Sequence, residues 1–162
     1  MGKRFLRISG PLALVLWMVV AARGAETRFD ADAVRANNRG VAEMGQQFTE
    51  RAEGSFAGAF KRDPKLAQAA INDGIALLTL QKLDEAKNTL HAAIMLDPQS
   101  AQAWYNLGLA QHAGNELEPA LVSFQQAVKI DPRDADSYYF EGVCLQELKD
   151  LVRPKIGISN HH

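Results

Sequence analysis

The 162-residue chain holds one cysteine, Cys144, so no internal disulfide can staple it and its stability must come from packing. Its first 25 residues contain no acid, only Lys3, Arg4, Arg7 and Arg23. With a net charge of −1 overall, these four basic residues leave −5 for everything that follows. A body of that charge lacks the basic footprint of a nucleic-acid binder. Long apolar runs are missing too: only 15 uncharged residues separate Arg7 from Arg23, short of the roughly 20 that a spanning helix needs. There is no glycine-rich phosphate loop, no dinucleotide fingerprint and no histidine–glutamate zinc motif, so no cofactor and no metal are expected. An enzyme is not expected either.

The N-terminus has the layout of an export signal. A basic start, "MGKRFLR", leads into "PLALVLWMVVAA" and then to small residues, Ala21, Ala22, Gly24 and Ala25. Cleavage is expected after Ala25, with Ala22 as the alternative, and residues 26–32 then form a linker. The mature protein would reside outside the cytoplasm, in a bacterial periplasm. If the segment is left uncleaved, residues 8–22 would anchor the chain to the inner membrane.

What the chain has is a period. Asp63-Pro64, Asp97-Pro98 and Asp131-Pro132 recur every 34 residues, and so do Gly40, Gly74, Gly108 and Gly142. Two alanine columns keep the same spacing, Ala52, Ala86, Ala120 and Ala59, Ala93, Ala127, with Phe56, Leu90 and Phe124 between them. Apolar residues three and four apart predict two helices per period, such as 101–114 and 118–130. Proline is tolerated in the first turn of the second helix at Pro119, and the residue before Pro132 is pushed out of the helical region. The units are 33–66, 67–100 and 101–134, with a partial unit at 135–151; seven helices are expected within 33–149. A mid-helix glycine costs about 1 kcal/mol against alanine, so four in register must mark a close approach. The partner expected opposite Gly108 is Ala120 or Ala127. After Leu151 the pattern fails: Pro154 occupies the slot of the second-helix alanine, and 152–162 reads as an irregular tail.

The third unit, "AWYNLG" followed by "PALVSFQQAVKIDP", resembles the tetratricopeptide repeat in Trp104, Leu107, Gly108, Ala120, Phe124, Ala127 and Pro132. The resemblance covers 33–151 and is weakest in the first unit, where Ala36 and Arg39 replace an aromatic and a leucine. It implies an all-α fold, a right-handed solenoid of antiparallel helix pairs, with a concave groove lined by the first helices. It also implies a non-enzymatic module that binds a protein or an extended peptide in that groove. The alternative is a repeat fragment of a larger exported protein, truncated or frame-shifted, whose activity lay in a missing C-terminal domain.

Within that frame one polar column lacks a packing explanation: Asn38, Asn72 and Asn106, two residues before successive glycines, with Phe140 in the fourth place. An amide both donates and accepts, which suits a peptide backbone, and these side chains are expected to face solvent when the groove is empty. Ile75, Tyr105, Leu109 and His112 are expected beside them. His112 is read as a binding residue without a partner acid, Cys144 as a small core residue in the column of Ala42, Ala76 and Ala110. The ten groove-side positions, Val34, Asn37, Val41, Gln68, Ile71, Ile75, Gln102, Tyr105, Leu109 and His112, include no lysine or arginine. The resemblance therefore does not extend to the subtype that clamps a carboxylate.

Overall fold

The structure, a computed structural model, describes residues 28–152; the expected export signal at 1–25 and the tail at 153–162 lie outside the described residues. Seven helices and no strand are found among the described residues: α1 (Ala31–Gly45), α2 (Thr49–Arg62), α3 (Ala67–Thr79), α4 (Leu83–Leu96), α5 (Ala101–Ala113), α6 (Leu117–Ile130) and α7 (Ala135–Val152). Each helix packs most closely on its sequence neighbour, the arrangement of an α-solenoid. The first helix starts two residues earlier than expected because Asp30 caps it, its carboxylate accepting from the backbone N–H groups of Asp32 and Ala33. Arg62 then ties Asp30 and Asp32 to the end of α2, at 2.6 Å in both cases.

Two kinds of turn alternate. Between units, the aspartate before each proline closes the second helix. The N–H groups of Asp63, Asp97 and Asp131 donate to Ala59, Ala93 and Ala127, while their side chains accept from the N–H two residues on, each at 3.1 Å. The aspartate thus satisfies orphan groups that the proline would otherwise leave. Within units, Gln47, Gln81 and Asn115 take the left-handed conformation, with φ near 60°. The N–H of the next residue then reaches back to the last turn of the first helix: Phe48 to Glu43, Lys82 to Leu77 and Glu116 to Gln111. These three residues also keep the 34-residue spacing, yet two of them are glutamines, which carry no turn signature in a sequence.

The six column alanines are fully buried, and Phe56, Leu90 and Phe124 are buried between them. It is these larger residues, not the alanines, that the glycines accommodate. A Cβ on Gly40 would come within 2.5 Å of the Phe56 ring, one on Gly74 within 2.5 Å of Leu90, and one on Gly108 within 2.7 Å of the Phe124 ring. The expectation that Gly108 lies against Ala120 or Ala127 is therefore corrected. The alanines let the second helix approach, and the aromatic or leucine between them seats on bare backbone. Full burial of such a side chain is worth about 1.5–3 kcal/mol, more than the propensity that glycine forfeits. Gly142 differs, for among the described residues nothing comes within 4 Å of its Cβ position.

A polar link reinforces two of the pairs. Ser55 donates to Glu43 and Ser123 to Gln111, both at 2.6 Å and both buried. The middle unit has Leu77 at the matching place and carries its buried polar group one turn earlier, at Asp73. That residue is 6% exposed, and one carboxylate oxygen has no hydrogen-bond partner. Burial, followed by the charges of Glu53 on α2 and Glu85 on α4, pushes its carboxyl up to about 7, against a smaller opposing effect of Lys82. The next unit fills the corresponding place with the buried Leu107.

Two outcomes follow from this packing. Gly108→Leu should cost about 1–3 kcal/mol by driving a side chain into the Phe124 ring, read as a fall in the urea midpoint; an unchanged midpoint would refute the seating. Asp73 holds its proton in the folded state to higher pH than in the unfolded chain. Its contribution to stability is therefore full below about pH 4 and declines as pH rises to about 7. Asp73→Leu should remove that decline and stabilise the protein at pH 8 by on the order of 2–4 kcal/mol, with much less gain at pH 4. Equal gains at both pH values would show that the ionisation of Asp73 is not the cause.

Candidate functional site

The first helices lie side by side along one flank of the row. α1 touches α3 and α3 touches α5, and α5 reaches α7 through His112 and Glu147, whose ring nitrogen and carboxylate oxygen are 2.9 Å apart. This flank is the inside of the solenoid, and the sequence-derived groove residues fall along it in three different environments.

At the α1–α3 seam the side chains leave an open cleft of about 180 Å³ lined by Val41, Met44, Phe56, Asn72 and Ile75. Val41 is 52% exposed at its rim. Asn72, at the cleft wall, is fixed from both sides: its Nδ2 donates to Asn37 Oδ1 at 2.9 Å, and its Oδ1 accepts from Gln68 at 3.0 Å. Asn37, not Asn38, is the buried amide of the first unit, and Asn38 points to solvent. Each bonded amide of this chain keeps further donor or acceptor capacity, so Asn72 can still serve a guest.

At the α5–α7 seam the expected groove is filled. Phe140 stacks on Phe124, with centroids 5.3 Å apart and planes 17° from parallel. Tyr105 and His112 meet the edge or face of the same ring at 6.0 and 6.1 Å. Leu109 packs into this cluster as well. Such aromatic pairs add about 0.5–1.5 kcal/mol beyond burial. Phe140 occupies the fourth place of the asparagine column because it closes the core at the end of the row. Burial raises the Tyr105 hydroxyl's pKa, with Asp136 and Asp134 adding to the effect, and likewise pushes the Cys144 thiol up. Cys144 is fully buried beside Ala120 and Phe124, an inert core position as expected.

Two expectations need correction here. Asn106 is only 8% exposed, and its amide donates to the Gln102 carbonyl of its own helix at 2.8 Å, so it does not face solvent in the empty groove. His112 does have a partner acid, Glu147, 35 residues away on the neighbouring first helix. Together with Asn115, Leu117, Asp150 and Leu151 the two line an open cavity of about 410 Å³ at the end of the row. No group of three or more metal-ligating side chains is found among the described residues. Sequence reasoning missed Met44 and Phe56 as cleft walls. The 34-residue offset of Phe56 to Leu90 and Phe124 marks all three as core and says nothing of the cleft that Phe56, itself buried, lines in the first unit.

A family model described as tetratricopeptide repeat matches residues 71–135. No curated protein sequence matches the chain. Among solved structures, the first tetratricopeptide domain of Spaghetti (RPAP3) bound to the HSP90 peptide SRMEEVD superposes with a TM-score of 0.73 at 19% identity, covering 76% of this chain and 98% of that one. The corresponding domain of Sgt2 from Aspergillus fumigatus gives 0.73 at 15% identity, covering 78% and 85%. The MamA RS-1 double mutant gives 0.69 at 26% identity, covering 90% and 79%. The match to the tetratricopeptide repeat model covers residues 71–135, and the chain shares the fold of solved tetratricopeptide domains.

Proposed function

We propose that the protein is a non-enzymatic interaction module that binds an extended peptide segment along its inner flank, anchored in the cleft at the α1–α3 seam. The observation that carries this reading is the composition of the cleft: four apolar walls, Val41, Met44, Phe56 and Ile75, beside one positioned amide, Asn72. Apolar pockets select alternate side chains of an extended chain while a polar handle grips its backbone. The scaffold holds the handle in place, so little ordering entropy is lost on binding. Structural neighbours bind peptides: two RPAP3 domains are bound to SRMEEVD and SGPTIEEVD, both ending in acidic residues. Here the groove positions carry no lysine or arginine, so the guest proposed is an uncharged, apolar-anchored segment and not an acidic C-terminus. Tyr105, Leu109 and His112 pack with Phe140 in the α5–α7 seam, Asn106 is bonded to its own helix, and Asn38 stays exposed, so the cleft and Asn72 carry the binding. Export is part of the proposal, on the strength of the basic and apolar N-terminal segment, and its partners are then proteins of the bacterial periplasm.

The test begins with a library of random 12-residue peptides displayed on phage and selected on the intact protein. Calorimetry on a selected peptide should show at least tenfold weaker binding to Val41→Asp. Asn72→Ala should lose about two- to tenfold, the loss of one neutral hydrogen bond at 0.5–1.5 kcal/mol. Val122→Asp, on the exposed outer side of α6, should bind as the parent does. Equal affinity in all three would remove the cleft as the binding surface. For export, N-terminal sequencing of the protein from its own cells should read from Glu26, in the soluble fraction outside the cytoplasm; an intact Met1 in the membrane fraction would contradict this.

A further inference from the structure

α7 is built as a first helix, yet it runs straight through Lys149, the position at which Gln47, Gln81 and Asn115 turn the chain back in the other units. No second helix returns over it among the described residues. Among the described residues nothing lies within 4 Å of the Gly142 Cβ position, where Gly40, Gly74 and Gly108 are covered by Phe56, Leu90 and Phe124. Around that position lies an open depression of about 540 Å³ walled by Tyr138, Tyr139, Val143 and Gln146. Tyr138 and Leu145 on this helix are each 49% exposed and Tyr139 is 66% exposed.

We infer that this face is a docking site for an amphipathic helix supplied in trans by a partner protein, seated antiparallel on α7 as a missing second helix. The chain itself states what the seat takes, three times over. Each occupant is an alanine, then an aromatic or leucine four residues on, then an alanine three further, all buried: Ala52-Phe56-Ala59, Ala86-Leu90-Ala93, Ala120-Phe124-Ala127. The charge of the guest follows from α7, which carries Asp136, Glu141, Glu147 and Asp150 against Lys149. In the first unit the residue just before the aromatic, Ser55, lies by Arg39 and Glu43 of the first helix. The matching residues of α7 are Glu141 and Leu145. A lysine or arginine just before the aromatic would therefore meet Glu141, and a basic guest helix fits where a second copy of α7, with four carboxylates of its own, would be repelled. This site is separate from the groove at the α1–α3 seam, and either can fail without the other.

The probe is a fluorescent peptide copying residues 115–132 with E116Q, E118Q and S123K, which keeps the pattern, supplies the basic residue and leaves Lys129 and the new lysine against Asp131 alone. Anisotropy against the full chain should show saturable binding, at least tenfold weaker for the probe that also carries F124A. Binding should be at least tenfold weaker for the unmodified copy, and likewise for Gly142→Leu protein with the S123K probe. Gly142→Leu adds a good helix former at an exposed position, so its melting temperature should equal or exceed the parent's, which separates lost docking from lost folding. Undiminished binding to Gly142→Leu would overturn the inference, and so would no binding by any probe. Concentration-dependent self-association of the parent that Gly142→Leu abolishes would also overturn it, by making a second copy the occupant.

Discussion

The fold depends on one contact repeated down the row: a large apolar side chain of the second helix resting on the bare backbone of a glycine in the first. Phe56 on Gly40, Leu90 on Gly74 and Phe124 on Gly108 each fix the separation and the crossing of one helix pair. Fully buried alanines on either side bring the backbones near enough for the contact to form. Because each pair is set in the same way, successive pairs meet in the same way, and stability becomes a sum of local pairings and neighbour interfaces. The aspartate–proline corners and the left-handed turns then only have to return the chain. The concave flank, its cleft at Val41 and Asn72, and the open end at Gly142 are all consequences of that repeated seat.

Much of this was legible in the sequence, because a 34-residue period imposes itself on every column at once. The helices, their order, the buried alanines and the role of glycine as a close-approach residue follow from spacing alone. The identity of the residue above the glycine does not follow, since the alanine and aromatic columns share one period and only geometry decides which reaches across. The left-handed turns at Gln47 and Gln81 were hidden for a different reason. Glutamine has no intrinsic preference for that conformation, and the surrounding helix ends impose it.

The candidate site was less legible than the fold. A column of like residues suggests a like role, yet Asn38, Asn72 and Asn106 stand exposed, half-buried and buried in turn. The reason is that each unit is covered differently by its neighbours: the first has no described helix before it, and the third is closed by Phe140. His112 and Glu147 lie 35 residues apart and become neighbours only when the first helices stack. Asp73 is the local exception, a carboxyl placed where the next unit uses Leu107. It weakens the middle of the row as pH rises toward neutrality.

The seat itself is most directly tested by a double-mutant cycle on the middle pair, Gly74→Ala with Leu90→Ala, followed by urea unfolding. Each single change should destabilise, the first by pushing a methyl into Leu90 and the second by opening a cavity worth about 2–5 kcal/mol. Once Leu90 is truncated, the added methyl has room. Gly74→Ala should then be neutral or stabilising in the Leu90→Ala background, with a coupling energy of about 1 kcal/mol or more. Strictly additive losses would mean that Leu90 does not rest on Gly74, and the account of how the helix pairs are spaced would fail.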